Sequence, residues 1–138
     1  MGRMMRMFVL GTLMAAGGCA SGPAAPSQEP DGRWELTRLG DIEMHSGIPR
    51  PTLVVADGSV SGFAGVNRFN GGLAAEGPFL FTPLATTRMA GPPPAMELET
   101  RYLAALQQAT AWKVEGDALV LSADGIEVLD FRRAPGGN

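Results

Sequence analysis

The segment from residue 57 to residue 72 constrains the fold more than any other part of the sequence. It reads DGSVSGFAGVNRFNGG, and its opening Asp57-Gly58 pair stands between alternating apolar residues. An Asp-Gly pair in that setting favours a tight β-hairpin. Glycine inside a strand usually marks a bulge, a bend or a close backbone approach, and four glycines follow here: Gly62, Gly65, Gly71 and Gly72. The segment therefore predicts a bent antiparallel sheet, and it carries no cluster of acids, bases and nucleophiles.

The composition agrees with one turn-rich β domain. The chain has 138 residues, of which 19 are glycine and 11 are proline, and this length allows a single domain with a modest core. The formal net charge is −3 and there is no run of basic residues, which argues against a nucleic-acid partner. Cys19 is the single cysteine, so no disulfide can form within the chain.

The N-terminal segment is typical of an export signal. Arg3 and Arg6 precede an apolar run over residues 7–16, and small residues end the run at Gly18. This pattern predicts a signal peptide over residues 1–18, since so short a run cannot span a bilayer. The sequence AGGC at 16–19 resembles a bacterial lipobox, in which the cysteine is lipidated and becomes the mature N-terminus.

Cys19 is therefore the expected lipidation site, and residues 19–31 form a flexible tether rich in proline, serine and alanine. Several acyl chains on one cysteine would anchor the protein stably to a membrane. Ala20 and Ser21 follow in place of the aspartate associated with inner-membrane retention. We therefore expect a lipoprotein of the cell envelope, on the outer membrane and facing the periplasm. The alternative is an ordinary secretory signal with a chance cysteine.

Apolar periodicity predicts strands on both sides of one helix. The predicted strands cover 33–39, 52–56, 59–64, 68–75, 78–82, 84–89, 111–114, 118–121 and 126–131, and residues 40–50 form a loop. A helix is predicted over 94–109, because proline suits a first helical turn and an apolar face follows at spacings of three and four. That face is Ala95, Leu98, Tyr102, Leu103, Leu106 and Ala109. The prediction is one α+β domain over 32–133, with a polar tail over 134–138.

Five pieces of the sequence, in order, carry a resemblance to a known family. They are WEL at 34–36, GFAGVNRFNGG at 62–72, LATTRMA at 84–90, MELE at 96–99 with YLAAL at 102–106, and GDALVL at 116–121. With these pieces the chain resembles the META/HslJ family of bacterial lipoproteins and secreted domains. The resemblance implies a strongly bent antiparallel sheet, an incomplete barrel or cone, wrapped over the single helix. It implies association with the cell envelope and with stress, without an agreed reaction.

The chain departs from the family at two positions. Members often have cysteines, a likely disulfide pair, where this chain has Val66 and Gly91. A disulfide between these positions would close a loop of roughly 26 residues and contribute on the order of 3 kcal/mol to the stability of the fold. Packing of Val66 is therefore expected to replace part of the lost stabilisation, and no redox or metal site is expected there.

A group of polar residues around the hairpin has two interpretations. Asn67, Arg68 and Asn70, with Thr87 and Arg88, could form a recognition surface. The structural alternative, which we favour, is that the asparagines adopt left-handed turn geometry and bond the backbone. In that alternative Thr87 bonds the adjoining strand and Arg88 pairs with a helix carboxylate.

The sequence points to no catalytic residue, metal ligand or cofactor. His45 stands alone in its loop, and Glu97 and Glu99 lie on different faces of the predicted helix, so they make a poor carboxylate pair. The aromatic residues are interpreted as core. Four apolar residues could instead line a cleft if the barrel does not close: Phe63, Phe81, Leu103 and Trp112.

Two functions follow as hypotheses. The first is a non-enzymatic, lipid-anchored envelope protein, expected to be a monomer, that binds or stabilises an unidentified envelope partner. The second is a carrier that holds an apolar ligand between sheet and helix, which requires a concave apolar pocket.

Overall fold

A computed structural model describes residues 29–45 and 47–135 and contains one antiparallel sheet and one helix. The strands are β1 (Gly32–Leu39), β2 (Ile42–Glu43), β3 (Thr52–Ala56), β4 (Ser59–Phe63), β5 (Arg68–Gly72), β6 (Ala85–Thr86), β7 (Ala111–Glu115), β8 (Ala118–Ala123) and β9 (Ile126–Arg133), and the helix is α1 (Pro93–Gln108). The strand order is β6-β5-β4-β3-β1-β9-β8-β7, with β2 paired to β1 alone. The sheet is not closed, because β6 and β7 are its two edges among the described residues. The predicted α+β fold, a bent open sheet over one helix, is confirmed.

The predicted Asp-Gly turns connect the strands as expected. Asp57 and Gly58 have φ of 51° and 78°, and Asp124 and Gly125 have φ of 50° and 83°. Two successive residues with positive φ match the right-handed twist of the flanking strands, and Asp-Gly tolerates that geometry best. These turns set the register of β3 with β4, in which Val55 faces Val60, and the register of β8 with β9.

Three predictions about individual segments were wrong. The loop over 40–50 contains β2, the strand over 84–89 is reduced to the two residues of β6, and 78–82 is not a strand. In the last segment only Phe81 forms a bridge, to Leu73. Proline cannot donate a hydrogen bond to a ladder, and Pro78 and Pro83 flank this segment. The segment instead connects the C-terminal end of α1 with the end of β5. Leu80 donates to the carbonyl of Ala109, and Thr82 donates to that of Gly72.

The core lies between the inner face of the sheet and α1. Trp34, Tyr102 and Phe131 are among its fully buried side chains. The Tyr102 ring makes edge-to-face contacts with Phe69 and Phe131, at centroid distances of 5.9 and 6.2 Å. Its hydroxyl donates to the backbone carbonyl of Thr52 over 2.9 Å, and burial raises the pKa of Tyr102 well above its usual value. Tyr102 therefore fixes the middle of α1 against the sheet.

The boundaries of the core differ from the sequence-based expectation at two places. Phe79 was expected in the core, but it lies in no strand and 51% of its surface is exposed. Ala134, the first residue of the expected polar tail, is buried, and its N–H donates to the carbonyl of Arg33. Pairing beside β1 therefore continues one residue beyond β9.

Candidate functional site

Asn67 is the centre of a buried polar cluster at the turn between β4 and β5. Only 2% of its surface is exposed. Its side-chain amide donates to Glu99 Oε1 over 2.7 Å and to the carbonyl of Met89 over 3.0 Å. Its Oδ1 accepts from the N–H of Met89 over 2.6 Å and from Thr87 Oγ1 over 3.0 Å. All the usual hydrogen-bonding positions of an asparagine side chain are therefore occupied.

Glu99 is the partner of Asn67 on the helix. It is 6% exposed, and its Oε2 accepts from the backbone N–H of Val66 over 2.9 Å and from that of Asn67 over 2.6 Å. Burial alone would raise the pKa of Glu99, but hydrogen bonds from the Asn67 side chain and from the two backbone N–H groups outweigh it and hold the pKa below its usual value. Glu99 is therefore a buried carboxylate stabilised by N–H dipoles.

Together these groups form what we call the Asn67–Glu99 cluster: the side chains of Asn67, Glu99 and Thr87 with the backbone of Val66 and Met89. It joins the β4–β5 turn to the first half of α1 and to the segment before α1. Both Glu99 oxygens already accept hydrogen bonds, so the carboxylate is poorly placed to take a proton from a substrate. The geometry is that of a structural lock.

The structure separates the five residues of the predicted recognition surface. Asn67 and Thr87 meet inside the cluster, and Thr87 also accepts from the N–H of Arg68 over 3.1 Å. The side chains of Arg68 and Asn70 belong to exposed residues of β5, and Arg88 is exposed and forms no ion pair with a described carboxylate. Asn67 bonds the backbone as favoured, but left-handed geometry is absent there: among the described residues, positive φ outside glycine occurs at Asp57 and Asp124.

Val66 and Gly91 lie side by side, at the two positions where family members often have cysteine. A Cβ placed on Gly91 would lie 3.3 Å from the Cβ of Val66 and 2.5 Å from its Cγ2. Two cysteines in a disulfide have Cβ atoms about 3.5–4.5 Å apart, so a small shift would allow the link. Val66 occupies the space that a side chain at position 91 would need, which explains why a glycine stands there.

The four residues of the predicted apolar cleft do not share a cavity in the described structure. Phe63 belongs to the outer face of β4 and lines an open groove with Arg33 and Arg68. Phe81 lies inside, at a gap between sheet and helix with no room for a water molecule. Leu103 and Trp112 are partly buried against the core, and the buried Trp112 N–H has no hydrogen-bond partner among the residues that the structure describes. Alternation along β4 turns Phe63 outward, because Val60 points inward.

His45 and the acidic residues form no recognisable metal site. Within residues 29–45 and 47–135, no group of three or more His, Asp and Glu side chains is arranged to hold a metal ion. His45 is exposed and lines a shallow apolar groove with Ile48 and Leu98. Cys19, the predicted lipidation site, lies outside the described residues.

Sequence reasoning missed Glu99, although the sequence contains a signal for it. Glu99 precedes Tyr102 by three residues and Leu106 by seven, a spacing that places it on the same helical face as these buried residues. A carboxylate on a buried face requires hydrogen-bonding partners. That requirement points to a polar group on the facing element, which here is Asn67.

The open antiparallel sheet and the one helix of the described residues define a small domain of the α+β class. The family model for the META domain matches residues 27–136. The chain therefore belongs to the META domain family, and the resemblance inferred from its sequence motifs is confirmed.

Two solved structures are similar to this chain. One is an NMR structure of a protein from Burkholderia xenovorans, 26% identical, with a TM-score of 0.57 and a match covering 82% of this chain and 99% of that one. The other, also an NMR structure of a protein, is 23% identical, with a TM-score of 0.59 and coverage of 80% and 95%. The second likeness shows the fold alone. No curated protein matches the chain.

The described part of the chain contains no helix that could span a membrane. None of its helical segments combines the length and the apolar character needed to cross a bilayer.

Proposed function

We propose that this protein is a lipid-anchored component of the bacterial cell envelope, on the outer membrane and facing the periplasm. Its META domain acts as a non-enzymatic module that binds or stabilises a partner. This binding helps to maintain the envelope under stress. The observation that carries the anchoring is the position of Cys19, the single cysteine, directly after AGG and an apolar run. A chance cysteine has no reason to occupy that position.

The tether supports the same proposal. Residues 20–29 are rich in alanine, serine and proline, a composition typical of a linker. Such a segment allows a folded domain to reach a partner near the membrane surface while the acyl chains remain in the lipid. Multiple acyl chains make that attachment stable, whereas one chain gives only marginal binding.

The polar interior supports a non-enzymatic role. The buried carboxylate and amide of the Asn67–Glu99 cluster bond each other and the backbone. Catalytic acids and bases need a free position within reach of a substrate, and these groups have none. The apolar gap beside Phe81 has no room for a water molecule, so it cannot hold the ligand of the alternative hypothesis, a carrier of an apolar ligand.

Mass spectrometry of the full chain expressed in a Gram-negative host tests the anchoring. The mature protein from the membrane fraction should begin at Cys19 and carry the mass of a diacylglyceryl group and an amide-linked acyl chain. The Cys19→Ser variant should lose both the added mass and membrane association, while Ser21→Ala, a matched change two residues away, should keep them. A wild-type protein with a free Cys19 thiol, or one cleaved at another residue, would overturn the proposal.

A further inference from the structure

The outer face of the sheet contains an open groove that the Asn67–Glu99 cluster does not explain. Two cross-strand rows form it, and we call it the outer groove. One row is Arg33, Val54, Ser61 and Asn70 on successive strands, and the other is Thr52, Phe63 and Arg68. The groove encloses about 490 Å³. Alternation with the buried residues of the same strands directs these side chains away from α1.

The charged residues that line the outer groove are of one sign. Its lining contains two arginines, Arg33 and Arg68, and no acidic residue, although the whole chain carries a formal charge of −3. Neither arginine forms an ion pair with a described carboxylate, and both are exposed. Glu35, the acid next along β1, is paired with Arg132 over 3.3 Å. The groove is therefore an electropositive region on an acidic protein, which attracts anions.

The spacing of the two arginines selects for an extended ligand. They stand on β1 and β5, three strand positions apart through β3 and β4, and three steps in a sheet span about 14 Å. One small anion cannot contact both guanidinium groups across that distance unless both side chains fold inward. A chain with repeated negative groups can contact both, and each contact can be bidentate.

The surface between the arginines offers groups that can contact a polyhydroxylated ligand. Ser61 and Asn70 are exposed and offer a hydroxyl and an amide, while Val54 and the half-buried Phe63 offer apolar contact. The groove crosses the strands in the middle of the sheet, where the backbone N–H and C=O groups are already paired. A peptide that adds a strand needs a free edge, so side-chain recognition of sugar hydroxyls fits this location better.

We propose that the outer groove binds an anionic glycan, with Arg33 and Arg68 contacting two separated acidic groups and Ser61 and Asn70 contacting hydroxyls of the sugars between them. The inference rests on the proposed role as a binding module and assigns the chemistry of its ligand.

Titration of the full chain in a neutral detergent with a short oligogalacturonate tests this site. The probe carries one carboxylate per sugar, and its methyl-esterified form of equal length is the uncharged control. We expect saturable binding of the acid form that weakens as salt is added. The ester should bind at least about tenfold more weakly, since it offers the guanidinium groups no charge.

Matched variants locate the binding. Arg33→Gln with Arg68→Gln should weaken binding by about tenfold, while Arg101→Gln, the same change on the exposed face of α1, should leave it unchanged. Ser61→Asp, which adds a negative charge between the arginines, should also weaken binding by about tenfold or more. All four substituted residues are exposed, so unchanged circular dichroism spectra are expected to exclude misfolding.

The possible contrary results are distinct. Absence of saturable binding, equal binding of the ester, or equal loss in Arg101→Gln would overturn the assignment. A polyglutamate peptide that binds as tightly as the glycan would also overturn it, because the surface would then recognise acidic peptides. The titration does not depend on lipidation, so a failure here leaves the anchoring at Cys19 standing, and a failure of the anchoring leaves this test unaffected.

Discussion

The two halves of α1 meet the sheet by different chemistry. In the first half Glu99 accepts hydrogen bonds from the β4–β5 turn and from Asn67. In the second half Tyr102 and Leu106 pack into the apolar core and are 0% and 1% exposed. Apolar contacts stabilise without strong directional preference, whereas the carboxylate accepts only from donors at defined positions. The comparison indicates that the second half supplies docking energy and the first half fixes where the helix docks.

The two halves should also fail differently. An apolar truncation in the second half leaves a cavity, whose cost depends on how far the surroundings relax. Loss of the carboxylate leaves N–H donors buried without acceptors, and each such group carries its own desolvation cost. Substitutions can therefore separate the two kinds of contact.

The largest effect is expected for Glu99→Ala. Two backbone N–H groups and one side-chain N–H lose their acceptor, so the free energy of unfolding should fall by about 4 kcal/mol. Urea unfolding followed by circular dichroism measures the change. Glu97→Ala is the matched control, since Glu97 is exposed and paired only with Arg101, and it should cost about 0.5 kcal/mol or less. Equal losses in both variants would remove the distinction between the two positions.

A second prediction concerns the link between the hairpin and the segment before α1. The double substitution of Val66→Cys and Gly91→Cys should form a disulfide, because the two Cβ positions are 3.3 Å apart. Both forms lack the packing of Val66, so their difference reports the link alone, and the oxidised form should be about 3 kcal/mol more stable than the reduced form. Non-reducing electrophoresis and unfolding with and without reductant check this.

Gly91→Ala alone should destabilise the protein. The added methyl would lie 2.5 Å from Val66 Cγ2, so the variant should lose about 1–2 kcal/mol through overpacking. Combining it with Val66→Ala should recover most of the loss. A failure to form the disulfide, together with a harmless Gly91→Ala, would contradict the observed proximity.

The smallest effect is the response to acid. The pKa of Glu99 is lower in the folded state than in the unfolded chain, so its contribution is complete above the unfolded-state pKa and is lost as the pH falls through the folded-state value. Stability should therefore decline on acidification more steeply in the wild type than in Glu99→Gln. Leu106→Ala, a truncation in the apolar half, should shift the whole pH profile downward without changing its slope. Parallel profiles for the wild type and Glu99→Gln would contradict the assigned role.

Local sequence patterns predicted most of the fold. Both Asp-Gly turns, the helix and the strands beside them follow from residues adjacent in sequence, such as Asp57 with Gly58. The wrong predictions concern segments whose hydrogen-bond partners are distant in the sequence. Residues 78–82 have a strand-like composition, but Leu80 donates to the carbonyl of Ala109, which follows α1 in the sequence. No local pattern specifies that contact.

The candidate sites likewise contain some residues that local sequence predicted and others that it did not. The sequence predicted that Asn67 and Thr87 bond backbone, but Glu99, the partner of Asn67, was considered only as half of a poor carboxylate pair with Glu97. The outer groove was not predicted at all, because Arg33 and Arg68 are 35 positions apart in sequence and are brought to one face only by the pairing of β1, β3, β4 and β5. Cys19 lies outside the described residues, and its lipidation stays a prediction.

A double-mutant cycle between Asn67 and Glu99 tests most directly whether a polar lock fixes the first half of α1. The free energy of unfolding would be measured for the wild type, Asn67→Ala, Glu99→Ala and the double variant. We expect a coupling energy of about 2 kcal/mol, because either substitution alone removes the hydrogen bond from Asn67 Nδ2 to Glu99 Oε1 and leaves the remaining atom of that pair buried with the bond unmade. Losses that simply add would show that the two residues stabilise the protein independently, and would contradict the lock.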